Sequence, residues 1–282
     1  MAKLLDCEIV SADSRQFYKE MSIGTAKPTL DEQKTIPHHF IDSHSITTPL
    51  SAFQFETEAL VILDELFLKS DNVILVGGSG LFIDALCDGL DHYPSDKKIQ
   101  DFYLNQLEEK GIENLQIILK GKDPENFEKI DVQNPHRLIR ALEIIHLSGK
   151  PMSESQIKTR KERNFKTHRF ILNWEREILY QRINERVDLM IDQGLVEEVK
   201  SLSSYKHLQS LNTVGYKEIF DWLDGNTSRE EAIVQLKQNT RRYAKRQLTW
   251  FRKNQNNCWV VGENQEEKIN FILQKIRENK AS

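Results

Sequence analysis

The sequence predicts an α/β fold, a parallel sheet covered by helices, interrupted by a mostly helical insertion. Three observations predict it. Short apolar runs at residues 8–11, 72–76, 169–174 and 258–261 read as buried strands, and helical patterns separate them. Such alternation implies parallel strands with helices on both faces. The run at 72–76 passes directly into Gly77-Gly78-Ser79-Gly80 and then an apolar helical segment. A glycine turn at the carboxyl end of a strand is where open α/β sheets place ligands. From about residue 91 to residue 166 strand alternation disappears and amphipathic helix takes over.

Taken in order, residues 2–6 read as the last turn of a helix, followed by the strand at 8–11, which ends in Ser11-Ala12-Asp13-Ser14. Residues 51–69 carry Phe53, Ala59, Leu60, Leu63, Leu66 and Phe67 at helical spacing. Within the insertion, Asn134-Pro135 supplies an N-cap and a proline at the first helical position, and Gly149-Lys150-Pro151 stops that helix. Residues 181–203 and 229–253 read as long helices. The expected organisation is a first core segment at 1–91, the insertion at 92–166 and a return to the core at 167–282.

Composition narrows the class. The chain has 282 residues, 39% of them hydrophobic and 29% charged, so it can build a core and remain water-facing. No run approaches the ~18–20 apolar residues needed to cross a bilayer, and the first residues lack a basic segment followed by an apolar one. Cys7, Cys87 and Cys258 are far apart and odd in number, which argues against a disulfide framework or a CxxC metal site and for reduced thiols in the cytoplasm. The net charge of −4 does not announce a polyanion partner. Its distribution does: residues 232–262 contain no Asp or Glu but hold Lys237, Arg241, Arg242, Lys245, Arg246, Arg252 and Lys253.

Several motifs carry chemistry. Asp13 follows an apolar strand, where a carboxylate serves as a general base or a magnesium ligand; the plainer reading is a helix cap. In Ile23-Gly24-Thr25-Ala26-Lys27-Pro28, Thr25 and Lys27 are candidate donors to a phosphate. Gly77-Gly78-Ser79-Gly80 offers backbone N–H groups and a hydroxyl suited to an anion, or a plain tight turn. It is not a GxGxxG dinucleotide fingerprint. Arg137 and Arg140 lie one helical turn apart and can clamp phosphates or form a solvated basic face. Residues 241–252 form a basic ridge suited to a nucleic-acid backbone, with Ala244, Leu248 and Phe251 turned to the core. His38-His39, after Pro37, reads as loop and not as a metal site.

The order SADSRQ, IGTAKP, PHHFID, VGGSGLF, NPHRLIRALE, NTVGYKE and RRYAKRQLTWFR resembles the bacterial tRNA dimethylallyltransferase (tRNA isopentenyltransferase) family from residue 2 to about residue 259. The resemblance implies a P-loop NTPase-like parallel core with a helical insertion. It implies transfer of a dimethylallyl group from dimethylallyl diphosphate to N6 of adenosine 37, in the anticodon stem-loop of tRNAs reading codons that begin with U, with Mg2+ assisting and the enzyme acting as a monomer. It implies Asp13 as the general base and Asp13, Ser14, Arg15 and Gln16 as the segment holding the flipped-out adenosine. Ser79 stands where the family has Thr and is expected to be catalytic. His136, Arg137, Leu138, Ile139 and Arg140, and Arg242, Tyr243, Ala244, Lys245, Arg246 and Gln247, match tRNA-contacting stretches. Lys27 and Arg246 are the candidates for the diphosphate.

The sequence also departs from the family. Asn212 and Gln100 stand near positions where the family has Arg. The resemblance places a strand and a Walker-type phosphate loop upstream of SADS, and no GxxxxGK[ST] occurs in this sequence. The strands flanking that missing one are expected to lack hydrogen-bond partners and to expose apolar faces. Two other readings compete with the transferase: a tRNA-binding relative without turnover, and a small-molecule kinase of the P-loop class. A kinase needs the same phosphate loop and has no use for the basic ridge.

Overall fold

The computed structural model describes residues 1–155 and 161–281. In chain order its strands are β1 (Ile9–Ser11), β2 (His38–His39), β3 (Ile74–Val76), β4 (Phe170–Leu172) and β5 (Cys258–Val260). The helices up to residue 155 are α1 (Ala2–Leu5), α2 (Leu30–Thr35), α3 (Ala52–Phe67), α4 (Gly80–Asp88), α5 (Lys97–Lys122), α6 (Pro124–Lys129), α7 (Pro135–Ser148) and α8 (Met152–Ser155). Those after it are α9 (Arg176–Asp192), α10 (Leu195–Ser201), α11 (Tyr216–Leu223), α12 (Arg229–Phe251) and α13 (Gln265–Ala281).

The chain divides into two compact units, one of Met1–Asp88 with Arg163–Ser282, the other of Gly89–Glu162. The first unit resumes before residue 166, because Arg163 is tied into it. The Arg163 guanidinium donates to the carbonyls of Leu86 (2.9 Å) and Ala85 (2.9 Å) and to Glu56 (2.7 Å).

In the first unit the strands are parallel, in two sheets of order β2-β1-β3 and β4-β5. β1 is central, with Ile9 opposite both His38 and Ile74. Among the described residues β3 pairs only with β1 and β4 only with β5. Val76 and Leu172, on those two strands, are 51% and 61% exposed. Helix α3 covers the three-stranded sheet: Phe55, Ala59, Leu63 and Leu66 join Val10, Ala12, Phe17 and Leu86 in one apolar cluster. Its start is a capping box between Ser51 and Gln54.

Two expectations need correction. His38-His39 is not loop but a two-residue strand, set by pairing with Ile9 and Val10 and not by any alternation of its own. Each ring has a local partner, His38 donating to the Ile36 carbonyl (2.7 Å) and His39 to Glu8 (2.6 Å). The helix expected at 181–203 is two helices, α9 and α10, because Gly194 takes φ 99° between them, a conformation that favours glycine.

Among its described residues the second unit has helices α5 to α8 and no strand. α7 begins with Asn134 accepting from the Arg137 N–H and ends at Gly149 with φ 68°, as its sequence predicts. Leu138, Ile139, Ala141, Leu142 and Ile145 pack with Tyr103, Leu115 and Leu119 of α5. Glu143 is fully buried and bonded to Ser95 Oγ, the Asp96 N–H, Gln100 and Arg140.

Candidate active site

The site grows from the carboxyl ends of β1 and β3. The Ala12 N–H donates to the Val76 carbonyl at 2.7 Å, and the Ser79 N–H returns to the Ala12 carbonyl at 3.2 Å. Gly77 makes this crossing possible: a Cβ there would lie 2.3 Å from the Ala12 carbonyl carbon. The two turns are then stitched together. Ser79 Oγ accepts the Ser14 N–H at 3.0 Å and donates to Ser14 Oγ at 3.0 Å. The glycine turn therefore spends its hydroxyl on the SADS turn, which it orders.

Asp13 lies at the head of this arrangement. Its Oδ1 accepts the Arg15 N–H at 2.9 Å, closing an Asx turn. Burial pushes its carboxyl above the usual carboxylate range, and the N–H groups of Arg15 and Gln16 and the Arg15 charge only partly oppose this. A carboxylate made more basic by desolvation suits proton abstraction near neutral pH. The Arg15 guanidinium is anchored on the Ser210 carbonyl at 3.0 Å.

Helix α12 closes the site. Gln247 Nε2 donates to the Gly78 carbonyl at 3.0 Å. Trp250 packs where a Gly80 side chain would stand, 2.3 Å from an added Cβ, and its indole N–H donates to Asp84 at 2.9 Å. Burial and the nearby Asp13 charge raise the Tyr243 pKa, while Arg15 and hydrogen bonding to Ser79 and Gln247 pull it down. The Arg246 guanidinium lies over the Tyr243 ring at 5.6 Å. Arg242, Lys245 and Arg246 are exposed, and Arg242 meets Asn239 at 3.2 Å. Ala244, Leu248 and Phe251 are only half-buried; the fully buried residues of α12 are Ala232 and Leu236, nearer its start.

Other expected site residues are engaged elsewhere. Lys27 is not directed to a phosphate: its side chain is buried, its ammonium donates to the Tyr18 carbonyl (2.5 Å), and it pairs with Asp42. Thr25 donates to the carbonyls of Met21 and Ser22 at 3.1 Å each. Gln16 bonds inward, to the carbonyls of Thr25 (3.1 Å) and Ala26 (3.2 Å). In the second unit Leu138 and Ile139 are core residues, so their side chains cannot contact RNA. Arg140 is committed to the carbonyls of Tyr93 and Pro94 and to Glu143. His136 and Arg137 are the exposed members of that stretch.

With this geometry in place the relatives are informative. Residues 16–254 match the family described as IPP transferase. The chain belongs to that family. The tRNA dimethylallyltransferase of Christiangramia forsetii is 51% identical over 271 residues, spanning 95% of this chain and 90% of that protein. The tRNA dimethylallyltransferase of Cytophaga hutchinsonii is 45% identical over 99% of this chain and 92% of its own length. The crystal structure of the tRNA isopentenylpyrophosphate transferase of Bacillus halodurans superposes with a TM-score of 0.69 at 37% identity, covering 99% of this chain and 91% of that one. A eukaryotic dimethylallyltransferase solved while acting on tRNA gives a TM-score of 0.72 at 28% identity, covering 89% of this chain and 64% of that one.

Two further features lie outside the residues that the sequence singles out. A cavity of about 380 Å3 opens beside α9, with Arg182, Glu185 and Arg186 among apolar Leu179, Ile183 and Leu189. Trp174, just past β4, forms a wall and carries the Arg182 guanidinium 4.7 Å from its ring centre. Their sequence signal is two arginines at i, i+4 spacing within the helix that follows β4. Trp250 was hidden because nothing in its local sequence says that Gly80 makes room for it. Among the described residues no group of three His, Cys, Asp or Glu is placed to hold a metal ion, and no helix is long and apolar enough to cross a membrane.

Proposed function

We propose that this chain transfers a dimethylallyl group from dimethylallyl diphosphate to N6 of adenosine 37 in tRNA. The observation that carries the reading is the meeting of Asp13, Ser14 and Ser79 under the basic helix α12, in a chain whose relatives are tRNA dimethylallyltransferases. In this reading the adenine amine attacks the allylic carbon, the carbon–oxygen bond to the diphosphate breaks, and Asp13 takes the proton leaving N6. The raised basicity of Asp13 suits that step. The base must leave its stack to reach the carboxylate, and an anticodon loop offers it at the lowest cost. Arg242, Lys245 and Arg246 supply cations for the RNA backbone, with Tyr243 as a face for stacking.

The leaving diphosphate needs positive charge. With Lys27 paired to Asp42, that charge falls to the exposed Arg246 on α12. Mg2+ needs few protein oxygens when a diphosphate supplies the rest. It would neutralise charge on the leaving group. Mg2+ as cofactor, cytoplasmic location and a monomeric state complete the reading.

The test is transfer of labelled dimethylallyl to an anticodon stem-loop. Labelling of a loop with adenosine at position 37, and none with guanosine there, supports the reading. RNA that binds without acquiring label favours a binding protein without turnover.

A further inference from the structure

We propose that Glu198, with Tyr216, is a positioning residue for the segment 13–16. Glu198 sits one turn into α10 between Leu195 and Val199, both fully buried in a cluster with Tyr18, Met21 and Tyr216. Its carboxylate accepts four donors. One oxygen takes the N–H groups of Ser22 (3.0 Å) and Ile23 (2.7 Å). The other takes the Gly24 N–H (3.0 Å) and the Tyr216 hydroxyl (2.5 Å). An ionised carboxylate is acceptor-only and meets all four; a glutamine would turn an NH2 group toward two of them. Tyr216 is fully buried, and its ring lies so close under Gly24 that an added Cβ would stand 2.6 Å from it. The short helical turn Ile23–Thr25 is thus clamped on one face.

That turn holds the other end of the path. Thr25 and Ala26 present carbonyls that take both protons of the Gln16 amide. A flipped amide would aim its oxygen at two carbonyls, so Gln16 has one orientation. Its Oε1 accepts from Ser11 Oγ at 3.3 Å, and Ser11 Oγ accepts the Asp13 N–H at 3.4 Å. Glu198, on a helix far along the chain, therefore sets through four links where Gln16 and Asp13 stand. The turn has bonds of its own, Ala26 N–H to the Ile23 carbonyl and Thr25 Oγ1 to Met21 and Ser22. Without Glu198 it persists and drifts.

The kinetic consequence rests on the proposed transfer reaction; the structural one does not. The test compares Glu198→Gln, Tyr216→Phe and a control, Glu197→Gln, an exposed neighbour on α10. Amide hydrogen exchange is followed at residues 13–18 and 22–26, and kcat and KM are measured for dimethylallyl transfer to an anticodon stem-loop. Expected for Glu198→Gln and Tyr216→Phe is exchange raised about 10-fold in both segments. A kcat lowered about 10-fold, with KM for RNA within about 2-fold, is expected beside it. Glu197→Gln matches the parent. Faster exchange at 22–26 with parental exchange at 13–18 overturns the inference, as does a parental kcat where the parent transfers. If Glu198→Gln loses protection throughout the chain, Tyr216→Phe decides by the same criteria. A parent chain that transfers nothing overturns the proposed function, and the exchange criterion still decides this inference.

Discussion

Ser79 and Ser14 hold each other reciprocally: the Ser79 hydroxyl donates to Ser14 Oγ and accepts the Ser14 N–H, each at 3.0 Å. Residues 65 positions apart thereby fix the turn that carries Asp13. Ser79→Ala removes both bonds and leaves the Ser14 N–H without its partner, at a cost of about 1–3 kcal/mol. Single-turnover transfer is expected to fall about 10-fold or more. Ser79→Thr keeps the hydroxyl and is expected to stay near the parent rate.

Asp13→Asn removes the base, and transfer is expected to drop by about 100-fold or more. Because burial raises the Asp13 pKa, the acid limb of the parent's kcat/KM profile should lie above the ordinary carboxylate range of about 4. The same shift has a stability consequence. A carboxyl whose folded pKa is raised favours the fold below its unfolded pKa and loses that contribution as pH rises through the folded value. Asp13→Asn should therefore be more stable than the parent at neutral pH, with the difference vanishing in acid. Thermal melts across pH measure this.

The basic ridge should bind RNA by backbone charge. Replacing Arg242, Lys245 or Arg246 by Ala should weaken stem-loop binding at every loop sequence. Each should also reduce the slope of log affinity against log salt by about 1 if that residue neutralises one phosphate. Titrations at several salt concentrations check this. An unchanged slope for all three would remove α12 from the interface.

Gly80→Ala places a methyl group 2.3 Å from the Trp250 ring. Neither the helix start nor the indole, which is held by Asp84, can give way freely. A loss of about 2 kcal/mol in stability is expected from the overlap, with weaker RNA binding as α12 shifts. Urea unfolding and the stem-loop titration read the two effects.

Glu143→Ala should cost about 3 kcal/mol, because it takes the counter-ion from Arg140 and leaves the Ser95 and Asp96 donors without their acceptor around a buried hole. Burial alone would raise the Glu143 pKa. Its bonds to Arg140, Asp96, Ser95 and Gln100 outweigh burial and lower it. A lowered carboxyl pKa stabilises above the unfolded value of about 4.3 and loses that contribution as pH falls through the folded one. The variant's deficit, read by urea unfolding, should shrink toward acid pH.

Much of the core was legible because local signals agreed with tertiary structure. The runs ending in Ser11 and Val76 became neighbouring strands, and Asn134 and Gly149 start and stop their helix as expected. Asp13 and Ser79 were legible as candidates because both follow apolar strands. What failed depended on distant partners. Nothing near Lys27 in sequence announces Asp42 as its counter-ion, and nothing near Arg140 announces the Tyr93 and Pro94 carbonyls. The strand at His38 is made by β1, and Glu198 acquires its role only where α10 meets the turn at Ile23.

The most direct test is nucleoside analysis by mass spectrometry of tRNA incubated with this chain, dimethylallyl diphosphate and Mg2+. The account predicts N6-dimethylallyl-adenosine at position 37 with the parent chain and its near-absence with Asp13→Asn. Modified adenosine formed equally by both chains would contradict the assignment of Asp13, and unmodified tRNA from the parent would contradict the transferase itself.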